Sequence, residues 1–156
     1  MPITRNLADS ILSDIKSILN HDSGVSDIQA RICSLLNEKV DYYNWVGFYL
    51  VDPQKPDELI LGSYIGATTD HTRIKFGEGI CGQAADTGKI FLVDDVSRES
   101  NYLSCSINVK SEIVLPIFKN NKLIGELDID SFKIAAFDKS DKDLLSEICS
   151  LFSEYI

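Results

Sequence analysis

The sequence lacks any long hydrophobic run. No apolar stretch approaches the roughly 20 consecutive residues that a helix needs to cross a membrane. The first residues, Met-Pro-Ile-Thr-Arg-Asn, do not contain the apolar segment of a secretory signal peptide. We therefore expect no association with a membrane, and we take the cytoplasm as the expected location.

Basic residues are also scarce. The 156 residues include 15 Lys and Arg against 24 Asp and Glu, which gives a net charge of −9. Because the acids are spread along the chain, most of the surface is expected to repel phosphate backbones, and nucleic acid is not an expected partner. The length predicts a single domain, residues 1–156, that is large enough to bury a hydrophobic core.

Residues that bind metals are few. Only two histidines are present, and the four cysteines lie too far apart in sequence to form a zinc-binding motif. We therefore expect no metal and no other bound cofactor. Without a signal peptide, the cysteines are interpreted as free thiols. Cys33 and Cys149 fall on the apolar stripes of predicted helices, so both are expected in the core.

Hydrophobic periodicity predicts helices alternating with antiparallel hairpins. The helices are predicted at residues 5–20, 26–40, 83–87 and 140–155, and the strands at residues 44–51, 58–65, 73–76, 90–93, 111–118 and 123–131. This order predicts an α+β domain of two layers, with a central antiparallel sheet and helices packed on one face. Residues 1–40 form the N-terminal helices in this interpretation, residues 41–137 the sheet and the pocket loops, and residues 138–156 the C-terminal helix.

A glycine-rich loop, Gly77–Gly82, carries Cys81. Its spacing satisfies G-x-G-x-x-G, but the dinucleotide fingerprint belongs to the first turn of a βαβ unit, and here two helices and a hairpin come first. A tight loop leading into a short helix is the better interpretation. Cys81 then lies at a helix N-terminus, where the helix dipole favours a thiolate.

An acidic strand supplies further candidates. Alternation along residues 123–131 places Glu126, Asp128 and Asp130 on one face. Acids are uncommon in strands and costly when buried, so Asp128 and Asp130 are expected to serve a ligand or a partner, together with Glu112 on the adjoining strand. For Glu126 the bland interpretation, a solvated sheet face, stays open.

Three further positions depend on context. Trp45 and Tyr49 share one strand face with Gly47 between them; they either line a small pocket or form an amphipathic aromatic pair beneath a loop. Cys105 lies between two serines in a predicted loop, where a functional thiol and an ordinary buried one are both possible. His71 is interpreted as a solvated loop residue.

Four segments together resemble the GAF-domain free methionine-(R)-sulfoxide reductases. They cover most of residues 40–145 in the family's order: Asn44–Leu50, Gly77–Gly82, Ser111–Pro116 and Leu127–Ser131. The resemblance implies a GAF fold, often a homodimer, that reduces free methionine (R)-sulfoxide with thioredoxin as the usual electron source.

The resemblance also implies roles for individual residues. Cys105 falls at the position of the catalytic cysteine, and Cys81 matches the cysteine of the glycine loop. The substrate-binding positions correspond to Trp45, Tyr49, Glu112, Asp128 and Asp130. Two departures are visible: His71 stands where many members have a third cysteine, and Tyr102-Leu-Ser-Cys105-Ser replaces the family's His-x-x-Cys-Asp.

The chemistry of sulfoxide reduction fits these residue types. A Cys105 thiolate can attack the sulfoxide sulfur while a carboxylic acid, kept neutral by like-charge repulsion, protonates the oxygen. The remaining negative charge can hold the substrate's ammonium group. The attack leaves a sulfenic acid on Cys105, which Cys81 or an external thiol must resolve. Two alternatives stay open: a non-catalytic GAF module that senses a small ligand, and a redox sensor that uses Cys81 and Cys105.

Overall fold

A computed structural model of the chain describes residues 2–100, 102 and 107–156. Cys105 lies outside the described residues. The elements follow in the order α1 Arg5–Asn20, α2 Val25–Lys39, β1 Trp45–Asp52, β2 Lys55–Ile65, β3 Arg73–Lys75, α3 Gly79–Thr87, β4 Phe91–Val93, a 3₁₀ turn Val96–Arg98, β5 Ser111–Lys119, β6 Lys122–Ser131 and α4 Lys139–Tyr155. Among the described residues, every helix is too short or too polar to span a bilayer.

The strands form one six-stranded sheet in the order β3-β2-β1-β6-β5-β4, and every neighbouring pair is antiparallel. The two central strands, β1 and β6, carry the aromatic and acidic segments of the sequence. The hairpin of β5 and β6 turns at Asn120 and Asn121, both with positive φ, as such a tight turn requires. The predicted α+β fold with an antiparallel sheet is confirmed.

The helices α1, α2 and α4 cover one face of the sheet. Period-two alternation aims one set of strand residues at these helices, including Val46 and Phe48 of β1 and Leu127 and Ile129 of β6, all fully buried. Burying side chains of this size contributes about 1.5–3 kcal/mol each. The short helix α3 packs on the opposite face, against β3, β5 and β6.

A buried polar cluster joins α4 to the segment between α2 and β1. The hydroxyl groups of Tyr42 and Tyr43 both donate to Oδ1 of Asp141, at 2.7 and 2.6 Å. Asp141 also completes a capping box at the start of α4, because Asp138 accepts from the Asp141 backbone N–H and the Asp141 carboxylate accepts from the N–H of Asp138. One carboxylate therefore both caps a helix and satisfies two buried hydroxyls.

Candidate active site

Strand register gathers the acidic residues on the sheet face opposite the three long helices. In β1 and β6, Trp45 pairs with Asp130, Gly47 with Asp128 and Tyr49 with Glu126. In β5, Glu112 pairs with Asp130. The four carboxylates are almost fully buried, with exposed fractions of 4% for Glu112, 0% for Glu126 and 1% for Asp128 and Asp130. The predicted cluster of Glu112, Asp128 and Asp130 therefore exists, and Glu126 is part of it.

The solvated interpretation that stayed open for Glu126 is wrong. Helix α3 packs on this face against β6 and excludes water from the middle of the strand, so an acid there is buried like its neighbours. Neither carboxylate oxygen of Glu126 accepts a hydrogen bond from the described residues, and the same is true of Oδ1 of Asp128. Because buried polar groups normally have partners, this arrangement indicates a site built for something other than stability.

A small cavity of about 10 Å³ lies over Asp128, enough for one water molecule. Among the described residues, its lining comprises Tyr49, His71, Ile74, Glu78, Gly79, Ile80, Cys81, Glu112 and Asp128. A ligand larger than water therefore needs α3, or the loop between β2 and β3 that contributes His71, to move outward. Ile74 and Glu78 were not singled out in the sequence, because nothing in their local pattern distinguishes them from ordinary strand and loop residues.

Glycines allow α3 to approach the sheet. A Cβ atom on Gly82 would lie 2.5 Å from the backbone oxygen of Lys75, and the N–H of Gly77 donates to the oxygen of Gly82 at 2.8 Å. Because of this close turn, the helix begins at Gly79, earlier than the predicted start at residue 83. Cys81 is its third residue, and its Sγ lies 3.9 Å from Oε2 of Glu112.

The expected thiolate at Cys81 is wrong for this structure. The thiol lies near a helix N-terminus as predicted, but burial raises its pKa well above the usual value, and the nearby Asp128, Glu126, Glu112 and Asp130 raise it further. Four carboxylates outweigh the partial positive charge of one helix end. Cys81 is therefore a neutral thiol whose S–H points into an acidic environment.

Two of the acids have raised pKa values. Burial is the larger cause for Glu126, whose pKa is raised well above its ordinary value near 4.5, and repulsion from Asp128 adds to it. The pKa of Asp128 is raised by burial, against the opposing effect of hydrogen bonds with Glu112 and Cys81. The direction of both shifts agrees with the prediction of a raised carboxyl pKa, but the first cause is desolvation and not the like-charge repulsion that we expected.

The aromatic residues have different positions. Tyr49 lines the cavity and donates its hydroxyl hydrogen to the backbone oxygen of His71 at 3.0 Å. Trp45 stacks on Tyr64 with ring centroids 5.3 Å apart, and its Nε1–H donates to the oxygen of Ala67 at 3.0 Å. Trp45 therefore anchors the loop after β2, and in the described part of the chain it is not among the cavity-lining residues.

His71 is not the solvated loop residue that we expected. It is half-buried, lines the cavity and is fixed through its backbone by Tyr49 and Thr69. Such a placement depends on the path of the loop between β2 and β3, and local sequence contains no signal for it.

Of the other three cysteines, Cys33 and Cys149 lie in the core, and Cys105 is outside the described residues. Cys33 is fully buried and Cys149 is 7% exposed, and both contribute to the core under the helices, as predicted. Cys105 lies outside the described residues. Its described neighbours along the chain, Tyr102 and Val109, pack into the apolar cluster that also contains Tyr49 and Cys81.

Comparison with known proteins agrees with the geometry. The fold and the buried pocket between α3 and the sheet define a GAF domain, and the GAF-domain family model matches residues 22–156. The chain belongs to this family and, within it, to the free methionine-(R)-sulfoxide reductases that its motifs resemble.

Individual relatives are similar over nearly their whole length. GAF domain-containing protein A of Dictyostelium discoideum is 37% identical over 92% of this chain and 88% of its own. The free methionine-R-sulfoxide reductase of Saccharomyces cerevisiae is 34% identical over 90% and 84%. The free methionine-R-sulfoxide reductase of Neisseria meningitidis, solved in complex with its substrate, superimposes with a TM-score of 0.89 at 36% identity, over 95% and 87% of the two chains.

Proposed function

We propose that this protein reduces free L-methionine (R)-sulfoxide to methionine. The buried carboxylate cluster beside Cys81 is the observation on which the proposal depends, because it places four acids in one small pocket and burial raises the pKa of two of them. The named activity of the yeast and Neisseria relatives supports the same reaction.

The cluster matches a substrate that carries both an ammonium group and a polar sulfoxide. Because Asp128 lines the cavity and has a raised pKa, its protonated carboxyl can donate a hydrogen bond to the sulfoxide oxygen and then the proton. Charge on the other acids offsets the ammonium group, whereas a peptide-bound methionine sulfoxide has no such group. Tyr49 forms the apolar wall for the side chain.

The proposed redox cycle uses two thiols. The Cys105 sulfur attacks the sulfoxide sulfur as the oxygen is protonated, and transfer of the oxygen gives methionine and a sulfenic acid on Cys105. The Cys81 thiol then condenses with the sulfenic acid, which forms a disulfide and releases water. A dithiol reductant such as thioredoxin returns both cysteines to thiols and is itself oxidised to a disulfide. The homodimer implied by the family resemblance remains a prediction.

Turnover of defined sulfoxides tests the proposal. The purified, reduced protein should convert free methionine (R)-sulfoxide in the presence of thioredoxin or dithiothreitol, while the (S) epimer and a peptide-bound sulfoxide stay unchanged. The matched control is Cys33→Ala, which removes a thiol in the helix-side core and leaves the pocket intact. Binding of the sulfoxide without any turnover by either reductant would instead assign the protein to the ligand-sensing GAF modules.

A further inference from the structure

The pocket contains a set of donor atoms that suits a metal ion. Cys81, Glu112 and Asp128 each offer one ligand atom, and these three atoms all lie within 4.8 Å of one another. The three residues come from α3, β5 and β6, and all are buried. We propose that they form a binding site for a thiophilic divalent cation, with Zn²⁺ the best fit, and that the bound ion blocks the pocket. The blocking effect rests on the proposed function.

The geometry is close to that of a tetrahedral zinc site. With bonds of about 2.3 Å to sulfur and about 2.0 Å to oxygen, two ligand atoms of a tetrahedral zinc site lie roughly 3.5 Å apart. Sγ of Cys81 and Oε2 of Glu112 are already 3.9 Å apart. The Cys81–Glu112 pair is therefore within about 0.4 Å of the tetrahedral spacing, and the other two distances are at most 4.8 Å. The cavity of about 10 Å³ has room for one ion, and a water molecule as the fourth ligand requires a small outward movement of α3.

An unpartnered oxygen points to a missing ligand. Oδ1 of Asp128 accepts no hydrogen bond from the described residues, although Asp128 is only 1% exposed and lines the cavity. The neighbouring Glu126 also has two unpartnered oxygens. No Lys or Arg is among the described residues that line the cavity, so a dication would supply positive charge that the protein itself does not provide there.

The donor chemistry selects the type of ion. A thiolate ligand favours Zn²⁺ over the hard cations, since Mg²⁺ and Ca²⁺ take oxygen ligands and need six or more of them. Zinc sites that keep one position accessible to solvent or substrate have three protein ligands and one water molecule, which is the set available here. Because the same atoms are proposed to bind the substrate and to resolve Cys105, an ion held there excludes substrate and removes the Cys81 thiol from the cycle.

Zinc binding can be measured without turnover. The reduced full-length protein, kept in a phosphine reductant that does not chelate zinc, is titrated with Zn²⁺ against a chromophoric chelator. Wild type and Cys105→Ser should each bind one ion per chain with equal affinity. Cys81→Ser and Asp128→Asn should bind at least about tenfold more weakly, and Cys33→Ala should match wild type.

Equal zinc affinity in wild type and Cys81→Ser would overturn the site, and so would loss of binding in Cys105→Ser. If Cys81→Ser fails to fold, X-ray absorption of zinc-loaded wild type decides: one sulfur at about 2.3 Å with two or three oxygens supports the site, and an all-oxygen shell overturns it.

Inhibition separates this proposal from the proposed function. If wild type reduces the sulfoxide, saturating Zn²⁺ should abolish turnover and Mg²⁺ should not, and full activity of the zinc-loaded protein would overturn the block. If wild type has no reductase activity, the proposed function fails, and the chelator titration alone still decides whether the zinc site exists.

Discussion

At the scale of single residues, the site depends on buried acids, and burial raises the pKa of Glu126 and of Asp128. Glu126 shows the cost, because its carboxyl is fully buried and its pKa is raised by desolvation and by Asp128. A group with a raised folded-state pKa contributes its full stability only below its unfolded pKa, and that contribution is lost as the pH rises through the folded value. The acidic pocket therefore lowers the free energy of unfolding as the pH rises.

We predict that Glu126→Gln removes part of the pH dependence of stability. In wild type, the free energy of unfolding should fall as the pH rises above the ordinary carboxyl pKa of 4.5 toward the raised folded-state pKa, by at most about 1.4 kcal/mol per pH unit from this one group. Glutamine stays neutral, so the variant should show a flatter profile and be more stable than wild type at pH 8. Urea denaturation at several pH values measures this, and parallel profiles for the two proteins would contradict it.

Asp128→Asn should impair catalysis far more than binding. The amide keeps the shape of the side chain but cannot donate the proton to the sulfoxide oxygen, so kcat should fall by roughly 10²–10⁴-fold. Asp86→Asn, on the exposed side of α3, is the matched control. Steady-state kinetics with both variants checks this, and a kcat within twofold of wild type for Asp128→Asn would assign the proton donor elsewhere.

Substitution of the two proposed redox cysteines should affect different steps of the reaction. Cys105→Ser should abolish reduction, since no nucleophile remains. Cys81→Ser should still produce about one methionine per chain in a single turnover and then recycle slowly with thioredoxin, because the sulfenic acid lacks its internal partner. Rapid-quench measurement of methionine distinguishes them. An unchanged steady-state rate in Cys81→Ser would show that an external thiol resolves Cys105.

At the scale of helices and strands, alternation in β6 predicted the acidic face, and the register with β1 and β5 confirms it. The same alternation already placed Glu126 beside Asp128; only the assumption that an unassigned acid faces water kept Glu126 out of the predicted site. The start of α3 could not be predicted locally. Gly79 has a positive φ of 63°, which is typical of a loop residue. The helix nevertheless starts at Gly79, where the close contact between Gly82 and β3 holds the chain.

The capping of α4 gives a prediction for an element. Asp141→Ala leaves the buried hydroxyls of Tyr42 and Tyr43 without their acceptor and breaks the capping box, so the free energy of unfolding should fall by about 2–4 kcal/mol. The control is Asp143→Ala on the same helix, where an exposed pair with Lys139 is lost and stability should stay close to wild type. Urea denaturation compares them, and equal stabilities would contradict the proposed role of Asp141.

At the scale of the whole molecule, the sheet separates stability from chemistry. Its helix side is a continuous apolar core, and its other side holds the acids, Cys81 and the cavity. The apolar side follows directly from periodicity, which explains why the fold class and the buried Cys33 and Cys149 were predicted. One cavity is lined by His71 from the loop between β2 and β3, Cys81 from α3 and Glu112 from β5. Chain topology brings these segments together, and no local sequence pattern encodes their contact.

The helix-side core should therefore report global unfolding through its thiols. Burial raises the pKa of Cys33 and of Cys149 to about 12, so both buried thiols are inaccessible and almost fully protonated. In a Cys81→Ser/Cys105→Ser background, labelling by a thiol reagent at pH 8 should be slow and should rise with urea in parallel with the loss of circular dichroism. Removing Cys33 as well should halve the final labelling without changing its urea dependence. Fast labelling of the native protein would show that the core opens locally, and that the apolar layer is not a single cooperative unit.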